Sequence, residues 1–531
     1  MIRNLIRRRW LLAILTLALL LRLPELDRRP MHTDEAVHAV KFGALLEEGF
    51  YQYDPFEYHG PTLNYFTLIP AWLSGKRTFA AIDEFTLRIV PVFFGMLSIL
   101  LLAGLRQELG RKGLLLALLL LALSPAMSFY SRYYIQETLL VCFSAGVIVC
   151  GFRFLHRPAY RWSALAGVFA GLLFATKETA VIILGAMAVA GWIAISRSGD
   201  VGTTLAAAVP ARRTLLSHLL LFCLAALAIS GLFYSSFLSH PRGIIDAFRT
   251  FGVYIDRGTD HEWHIHPWYF YLQRMLFWRP AGGYPWNEGV IVGFAAVGMI
   301  GAFSRREIAG FSTVFLRFWS IYTLLLVLSF SLLPYKTPWN LLVFLYGMAI
   351  LAAAGVLILF HRLGQKPAKI LIVILLIGGL GQSLWLSYRA NFRDDASPVN
   401  PYVYAHTGKD VPALAQQIEA LSGVHPEGKS MFIEVVFPGN DYWPLPWYLR
   451  DFSRVGWWRS VDMTVPPAPL ILLAPAVEDS MLHKLYAIPP PGQRELYVPL
   501  FDRRIELRPG AEMRAYVRKS LWDEYERAKV F

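Results

Sequence analysis

Charge is scarce in this chain: aspartate, glutamate, lysine and arginine together make up 17% of 531 residues. Cysteine is scarcer still, with Cys142, Cys150 and Cys223 all inside apolar stretches. That removes a disulfide framework or a cysteine metal site from any outer domain. No basic patch interleaved with aromatics lies on the inward side, so nucleic-acid binding is excluded. No internal repeat of fixed period appears, which excludes solenoid and propeller architectures. The amino-terminal apolar run lacks a small-residue cleavage site before Arg22 and therefore reads as an uncleaved helix.

Apolar sequence fills the space that charge leaves. Hydrophobic residues reach 55%, aromatics 14%, and the mean hydropathy is +0.43, values too apolar for a soluble globule. A bilayer crossing needs roughly 20 apolar residues, and about eleven stretches qualify. They lie near 10–23, 85–105, 114–129, 138–154, 162–176, 179–195, 214–236, 288–303, 313–333, 339–360 and 369–388. Alternate short connections hold Arg106, Arg111 and Lys112; Arg153, Arg157 and Arg161; Arg197, Arg212 and Arg213; Arg305, Arg306 and Arg317; and Arg362, Lys366 and Lys369. The opposite short connections hold only Arg132, Lys177 and Lys336. This asymmetry predicts a cytoplasmic amino terminus, an extracytoplasmic carboxy-terminal segment and residence in the plasma (inner) membrane. The formal charge of +13 is then explained by cytoplasmic loops facing anionic membrane lipids.

The expected organisation is an α-helical transmembrane domain over 1–388, with large outer loops at 24–84 and 238–287. A non-cytoplasmic α/β domain follows over 389–531. Short β-like runs at Met431 to Phe437, Leu470 to Leu473, Leu496 to Phe501 and Arg514 to Val517, with a helix over Val411 to Leu421, support that reading of the tail.

Reactive side chains collect on the outer side. Asp34 and Glu35 follow the first span at once. Two adjacent carboxylates can supply a general base and a partner, or stabilise a helix start capped by Thr33; both readings stay open. Tyr58 and His59 precede Gly60-Pro61, where tyrosines are ordinary interfacial anchors and a turn histidine needs no ligand. Arg132, Glu137, Lys177 and Glu178 stand at outer helix ends, where charge is costly unless paired or functional. Self-pairing of Arg132 with Glu137 and of Lys177 with Glu178 is one reading. Convergence of Arg132, Lys177 and Lys336 on a phosphate is the other. His261, His264 and His266 are candidates for a divalent metal, although their spacing fits no named motif. The aromatic run containing Trp447 and Arg450 suits either stacking on a sugar ring or docking of the tail.

Together, Asp34-Glu35, Tyr58-His59-Gly60-Pro61, the Arg132 to Glu137 segment, Lys177-Glu178 and Trp447 to Asp451 resemble the GT-C superfamily of membrane glycosyltransferases. The likeness is to the protein O-mannosyltransferase and aminoarabinose-transferase type, and closest to the flippase-activity-associated group of prokaryotic N-glycosylation. It runs along the whole chain. The resemblance implies a GT-C fold of about eleven transmembrane helices and a sugar donor on a polyprenyl phosphate. Transfer to a glycan, lipid or protein acceptor would invert the anomeric carbon. Asp34 matches the family's catalytic acidic residue and would deprotonate the acceptor. Arg132, Lys177 and Lys336 would neutralise the departing phosphate, and His59, Tyr58, Glu137, Glu178, Trp447 and Arg450 would line the substrate. The phosphate leaves already ionised, so no second carboxylic acid is needed, unlike a glycosidase. No cofactor follows from the likeness, and a divalent metal stays open. The His-Gly-Pro turn departs from the double proline usual in the aminoarabinose type, which puts the acceptor side in doubt.

The competing reading is a non-catalytic transporter or flippase-associated protein for lipid-linked glycans. A transporter places polar groups near the bilayer midplane, whereas here they crowd one side.

Overall fold

The computed structural model describes residues 2–56, 59–196, 212–259, 264–280, 283–304 and 311–529. In chain order its first helices are α1 (Ile2–Leu20), α2 (Thr33–Glu48), α3 (Thr62–Leu73), α4 (Glu84–Leu101), α5 (Arg106–Leu123), α6 (Pro125–Tyr130), α7 (Glu137–His156), α8 (Tyr160–Phe174) and α9 (Ala180–Ser196). Among the described residues six helical elements are long and apolar enough to cross a membrane: Glu84–Leu123, Glu137–His156, Arg213–Tyr234, Thr313–Leu332, Pro338–Arg362 and Lys366–Phe392. Four shorter apolar helices are Arg9–Leu20, Tyr160–Phe174, Ala180–Ser196 and Gly289–Ala302. The stretches expected at 85–105 and 114–129 share one of these elements. It bends at Gly110, whose φ of 61° is a left-handed conformation that glycine adopts without steric cost. The second stretch stops at Leu123, because the Ser124 hydroxyl accepts from the Met127 N–H and caps a new short helix.

The chain divides into two compact units. The first comprises Met1–Leu26, Glu48–Gly75 and Phe85–Tyr404; the second comprises Asp27–Glu47, Lys76–Glu84 and Ala405–Phe531. Helix α2 thus belongs with the carboxy-terminal residues.

The second unit is built on a mixed sheet of β1 (Ile433–Val436), β2 (Val455–Trp458), β3 (Leu470–Leu473), β4 (Tyr497–Pro499), β5 (Ile505–Arg508) and β6 (Ala511–Arg518). Its order is β2-β1-β3-β6-β4, with β5 also on β6. The β1 pairs with β2 and β3 are parallel, and β6 runs antiparallel to β3, β4 and β5. Both β1 and β3 are buried along their full length, as central strands covered on two faces must be. Leu470 and Leu472 pack with residues of helices Asp410–Val424 and Lys519–Lys529. Ile471 and Leu473 pack on Met481 and Leu485 of helix Glu478–Tyr486. On that face the buried Glu434 carboxylate meets Lys484 Nζ at 2.7 Å.

Candidate functional site

In the second unit, the start of α2 separates the two acidic residues. The first helical bond runs from the Ala36 N–H to the His32 carbonyl at 2.9 Å, so His32, not Thr33, is the cap. Its Nδ1 accepts the Asp34 N–H at 3.1 Å, and the His32 N–H donates to Glu35 Oε2 at 3.0 Å. This is the reciprocal geometry of a capping box, with histidine in the serine position. Glu35 is fully buried and its Oε1 accepts from Arg29 at 2.9 Å. The Met31 N–H donates to Tyr448 Oη at 2.9 Å, and the Thr407 hydroxyl donates to the Met31 carbonyl at 2.6 Å. Asp34 is left half-buried, and its carboxylate has no hydrogen-bond or ionic partner among the described residues. Glu35 is committed to the framework, and Asp34 is available.

Trp447 and Arg450 lie in the same unit. Trp447 is fully buried, its indole donates to Glu84 Oε1 at 3.0 Å, and Phe79 meets it edge-on. The Arg450 guanidinium sits 3.9 Å from the Trp447 ring and donates to the Ile82 carbonyl at 3.1 Å. An indole enclosed in this way has no face left for a sugar, so Trp447 and Arg450 fasten residues 79–84 to the tail.

In the first unit, the turn before α3 is sewn to the turn between α8 and α9. The Gly60 N–H donates to the Thr176 carbonyl at 3.1 Å and the Thr62 N–H to the Ala175 carbonyl at 3.3 Å. A Cβ on Gly60 would stand 2.2 Å from the Ala175 oxygen, which is why only glycine fits. The seam brings His59 Nδ1 to 2.8 Å from Glu178 Oε2. Burial pushes the Glu178 carboxyl up, but the charge and hydrogen bond of His59, aided by Lys177, more than offset it and hold the group below the usual carboxylate range. The other oxygen, Glu178 Oε1, is buried and has no hydrogen-bond partner among the described residues. Lys177 pairs with Glu137 at the start of α7, not with Glu178, and the helix N-terminus favours that carboxylate. Tyr58 lies outside the described residues.

Arg132 does not pair with Glu137. It is buried and donates to the carbonyls of Arg22, Pro24 and Glu25 at 2.6–3.0 Å, clamping the chain as it leaves α1. Lys336 is occupied in a similar way. Its ammonium donates to the carbonyls of His266 at 2.8 Å and Leu333 at 2.5 Å. The backbone stitches the same two loops together, Lys336 N–H to His264 at 3.0 Å and His266 N–H to Pro334 at 3.3 Å. Burial lowers the Lys336 ammonium below its ordinary value. As folded, the three cations expected to converge on a phosphate all hold protein groups.

A cation that sequence reasoning missed is the better candidate. Arg274, on helix Phe270–Leu276, is buried and lies 3.6 Å from the Phe270 ring centroid, with Nε donating to the Pro401 carbonyl at 3.2 Å. Its two terminal nitrogens have no hydrogen-bond partner among the described residues. Burial brings its guanidinium down to about 10. Nearby, His264 Nδ1 and His266 Nε2 share the Tyr404 hydroxyl at 2.6 and 2.9 Å. Burial, then the charges of Arg274, His264 and Lys336, lower His266 to about 4, so it is neutral at pH 7. Burial is the larger cause of that depression, and the cations Arg274 and Lys336 that add to it are groups suited to an anion. The signal was present as a single arginine in the aromatic stretch Trp268 to Trp278, but the charge comparison covered only short loops. His261 lies outside the described residues. Among the described residues no group of three histidine, cysteine or acidic side chains is placed to hold a metal.

ArnT from Cupriavidus metallidurans in the apo state superposes with a TM-score of 0.65 over 97% of this chain and 99% of its own, at 14% identity. The chain has the GT-C fold. The same ArnT solved with undecaprenyl phosphate gives a TM-score of 0.61 over 96% and 97% of the two chains, also at 14% identity. AglB from Archaeoglobus fulgidus, an oligosaccharyltransferase solved with an inhibitory peptide and a dolichol phosphate, gives 0.54 over 91% and 71%, at 11% identity. All of these are GT-C glycosyltransferases, and ArnT is an aminoarabinose transferase. Residues 59–229 of this GT-C chain match the dolichyl-phosphate-mannose-protein mannosyltransferase family. No curated protein is significantly similar to the chain by sequence. The fold and its apolar helices make this a multi-pass membrane protein, as expected from the hydropathy.

Proposed function

We propose that this GT-C protein is an inverting glycosyltransferase that moves a sugar from a polyprenyl-phosphate donor to an acceptor hydroxyl at the extracytoplasmic face, with Asp34 as the base. The observation that carries the reading is the different fate of two adjacent acids on this fold. Glu35 is consumed by the helix cap and Arg29, while the Asp34 carboxylate is unpartnered among the described residues. Asp34 takes the acceptor proton as the acceptor oxygen bonds to the anomeric carbon. The bond from that carbon to the phosphate oxygen breaks, and the phosphate leaves with the electron pair. Arg274 is the group we assign to the departing phosphate, because its terminal nitrogens are unpartnered among the described residues, whereas Arg132 and Lys336 hold backbone carbonyls and Lys177 is neutralised by Glu137. Those three act as positioning residues.

The test is Asp34→Asn in membranes supplied with radiolabelled polyprenyl-phosphate sugars. Loss of transfer with unchanged protein abundance supports the assignment. Undiminished transfer removes Asp34 as base, and an absence of transfer from the unaltered protein across a panel of such donors turns the reading to non-catalytic handling of lipid-linked glycans.

A further inference from the structure

Glu288, in the first unit, is fully buried. Three donors meet on one of its oxygens: the Ser124 hydroxyl at 2.8 Å, the Ala126 N–H at 2.9 Å and the Tyr402 hydroxyl at 3.3 Å all reach Oε1. The other oxygen, Oε2, is buried and has no hydrogen-bond partner among the described residues. Burying a carboxylate is costly, and stability alone is served as well by an apolar side chain of similar size. An acid kept under those conditions calls for a role beyond packing.

Both its main chain and its side chain bear on Arg274. Helix Phe270–Leu276 carries Arg274 in its last turn, where the carbonyls have no donors within the helix. The Glu288 N–H supplies one, donating to the Met275 carbonyl at 2.7 Å, and Trp278 and Trp286 exchange two more backbone bonds at 3.0 and 2.7 Å. From the other side the Pro401 carbonyl accepts Arg274 Nε at 3.2 Å. Pro401 precedes Tyr402, whose hydroxyl is the one on Glu288. The Tyr402 N–H donates to Asn400 Oδ1 at 3.0 Å, and its carbonyl accepts from the Tyr130 hydroxyl at 2.9 Å. Arg274 has no ion-pair partner among the described residues, so the Pro401 carbonyl and the Phe270 ring are what orient it. Glu288 therefore holds the helix that carries the guanidinium and the neighbour of the carbonyl that aims it.

We propose that Glu288 is a positioning residue for the donor phosphate, fixing Arg274 through Met275 on one side and through Tyr402 and Pro401 on the other; this rests on the assignment of Arg274 to that phosphate. Glutamine in its place keeps an oxygen that accepts the same three donors. Leucine keeps the bulk and accepts none.

The experiment uses the full chain purified in mild detergent. The KM and kcat for a radiolabelled polyprenyl-phosphate sugar are measured with varied donor, and the dissociation constant of the polyprenyl phosphate is measured on the same samples. Glu288→Leu should raise the donor KM and that dissociation constant about tenfold and leave kcat within about twofold. Glu288→Gln should recover most of the affinity, to within about threefold of the parent. Adding Glu288→Leu to Arg274→Ala should raise neither constant beyond its value in Arg274→Ala, because the group it positions is gone. Independent, multiplied effects in the double variant, or a loss confined to kcat, would overturn the proposal. If Glu288→Leu does not fold, Tyr402→Phe takes its place. It removes one hydroxyl and should weaken donor binding about threefold in the parent and not at all in Arg274→Ala. Should Arg274→Ala bind the polyprenyl phosphate as the parent does, the phosphate assignment falls and the role of Glu288 with it. If Arg274→Ala binds weakly while Glu288→Leu and Tyr402→Phe bind as the parent does, only the role of Glu288 is removed.

Discussion

Replacing Glu35 with alanine and, separately, Asp34 with asparagine should split folding from activity across one peptide bond. Glu35 is fully buried, accepts from Arg29 at 2.9 Å and from the His32 N–H at 3.0 Å. Its loss leaves a buried guanidinium, 4% exposed, without this carboxylate, a change that costs about 3–5 kcal/mol for a broken buried pair. For a unit of this size about 2–4 °C accompanies each kcal/mol, so the second unit should melt roughly 6–20 °C lower. The Asp34 carboxylate has only the helix N-terminus to lose, about 0.3–1 kcal/mol, yet removing a general base should slow transfer by about 10²–10⁴-fold. Circular dichroism melts of the full chain in detergent report the first effect, and transfer from a radiolabelled polyprenyl-phosphate sugar reports the second. The reasoning fails if Asp34→Asn unfolds the protein as far as Glu35→Ala does. It fails equally if Glu35→Ala melts like the unaltered chain.

Arg274→Ala should raise the KM for the lipid-phosphate donor about tenfold or more, the worth of a charge-assisted hydrogen bond of about 1.5–3 kcal/mol, together with a lower melting temperature from the lost Phe270 and Pro401 contacts; steady-state kinetics with varied donor checks it. Because the Glu178 carboxyl is held below its unfolded value, its stabilisation is present above the ordinary carboxylate range and is lost as pH falls through the lowered value. Melting curves of Glu178→Gln should therefore converge with those of the parent only at acidic pH, and parallel curves at all pH values would contradict the His59 pairing. His266 is depressed from 6.5 to about 4, so its contribution is complete above pH 6.5 and falls away towards pH 4; His266→Gln should flatten that part of the stability profile. Gly60→Ala should cost about 1–3 kcal/mol of stability through overpacking, since the new methyl would sit 2.2 Å from the Ala175 oxygen, and a thermal melt reads it directly.

Elements whose burial is uniform were legible from sequence, and those that depend on distant partners were not. Leu470–Leu473 was read correctly as a strand because four consecutive buried apolar residues leave few alternatives. β2, Val455–Trp458, escaped because every residue in it is only half-buried, so no alternation marks it. α3 carries Pro70 inside the helix, a residue that argues against helix when read locally. The outer charges showed the same divide. That Lys177 would be paired was foreseeable from the cost of burying it, but its partner Glu137 is 40 residues away and no local spacing points to it. Thr33 looked like the natural cap for α2. His32 takes that place in a segment that Tyr448 and Thr407 hold by its Met31 backbone, an arrangement set by tertiary structure. Arg274 carried no motif, and its significance comes from the rings and carbonyl around it.

The hydroxyl of Thr407 reaches the carbonyl of Met31 across 376 residues of chain, and this separation becomes a waiting time when the protein is made. At about 5–20 residues per second, roughly 20–75 s pass between the emergence of the Asp34 segment and the arrival of the residues that pin it. Every described apolar helix of the first unit after Arg9–Leu20 is synthesised in that interval. A ribosome that stalls or a chain that is cut before residue 405 leaves Asp34 on a helix start without its anchors. The folded setting of the Asp34 helix start is thereby tied to the synthesis of Thr407 and Tyr448, about 370 to 420 residues downstream.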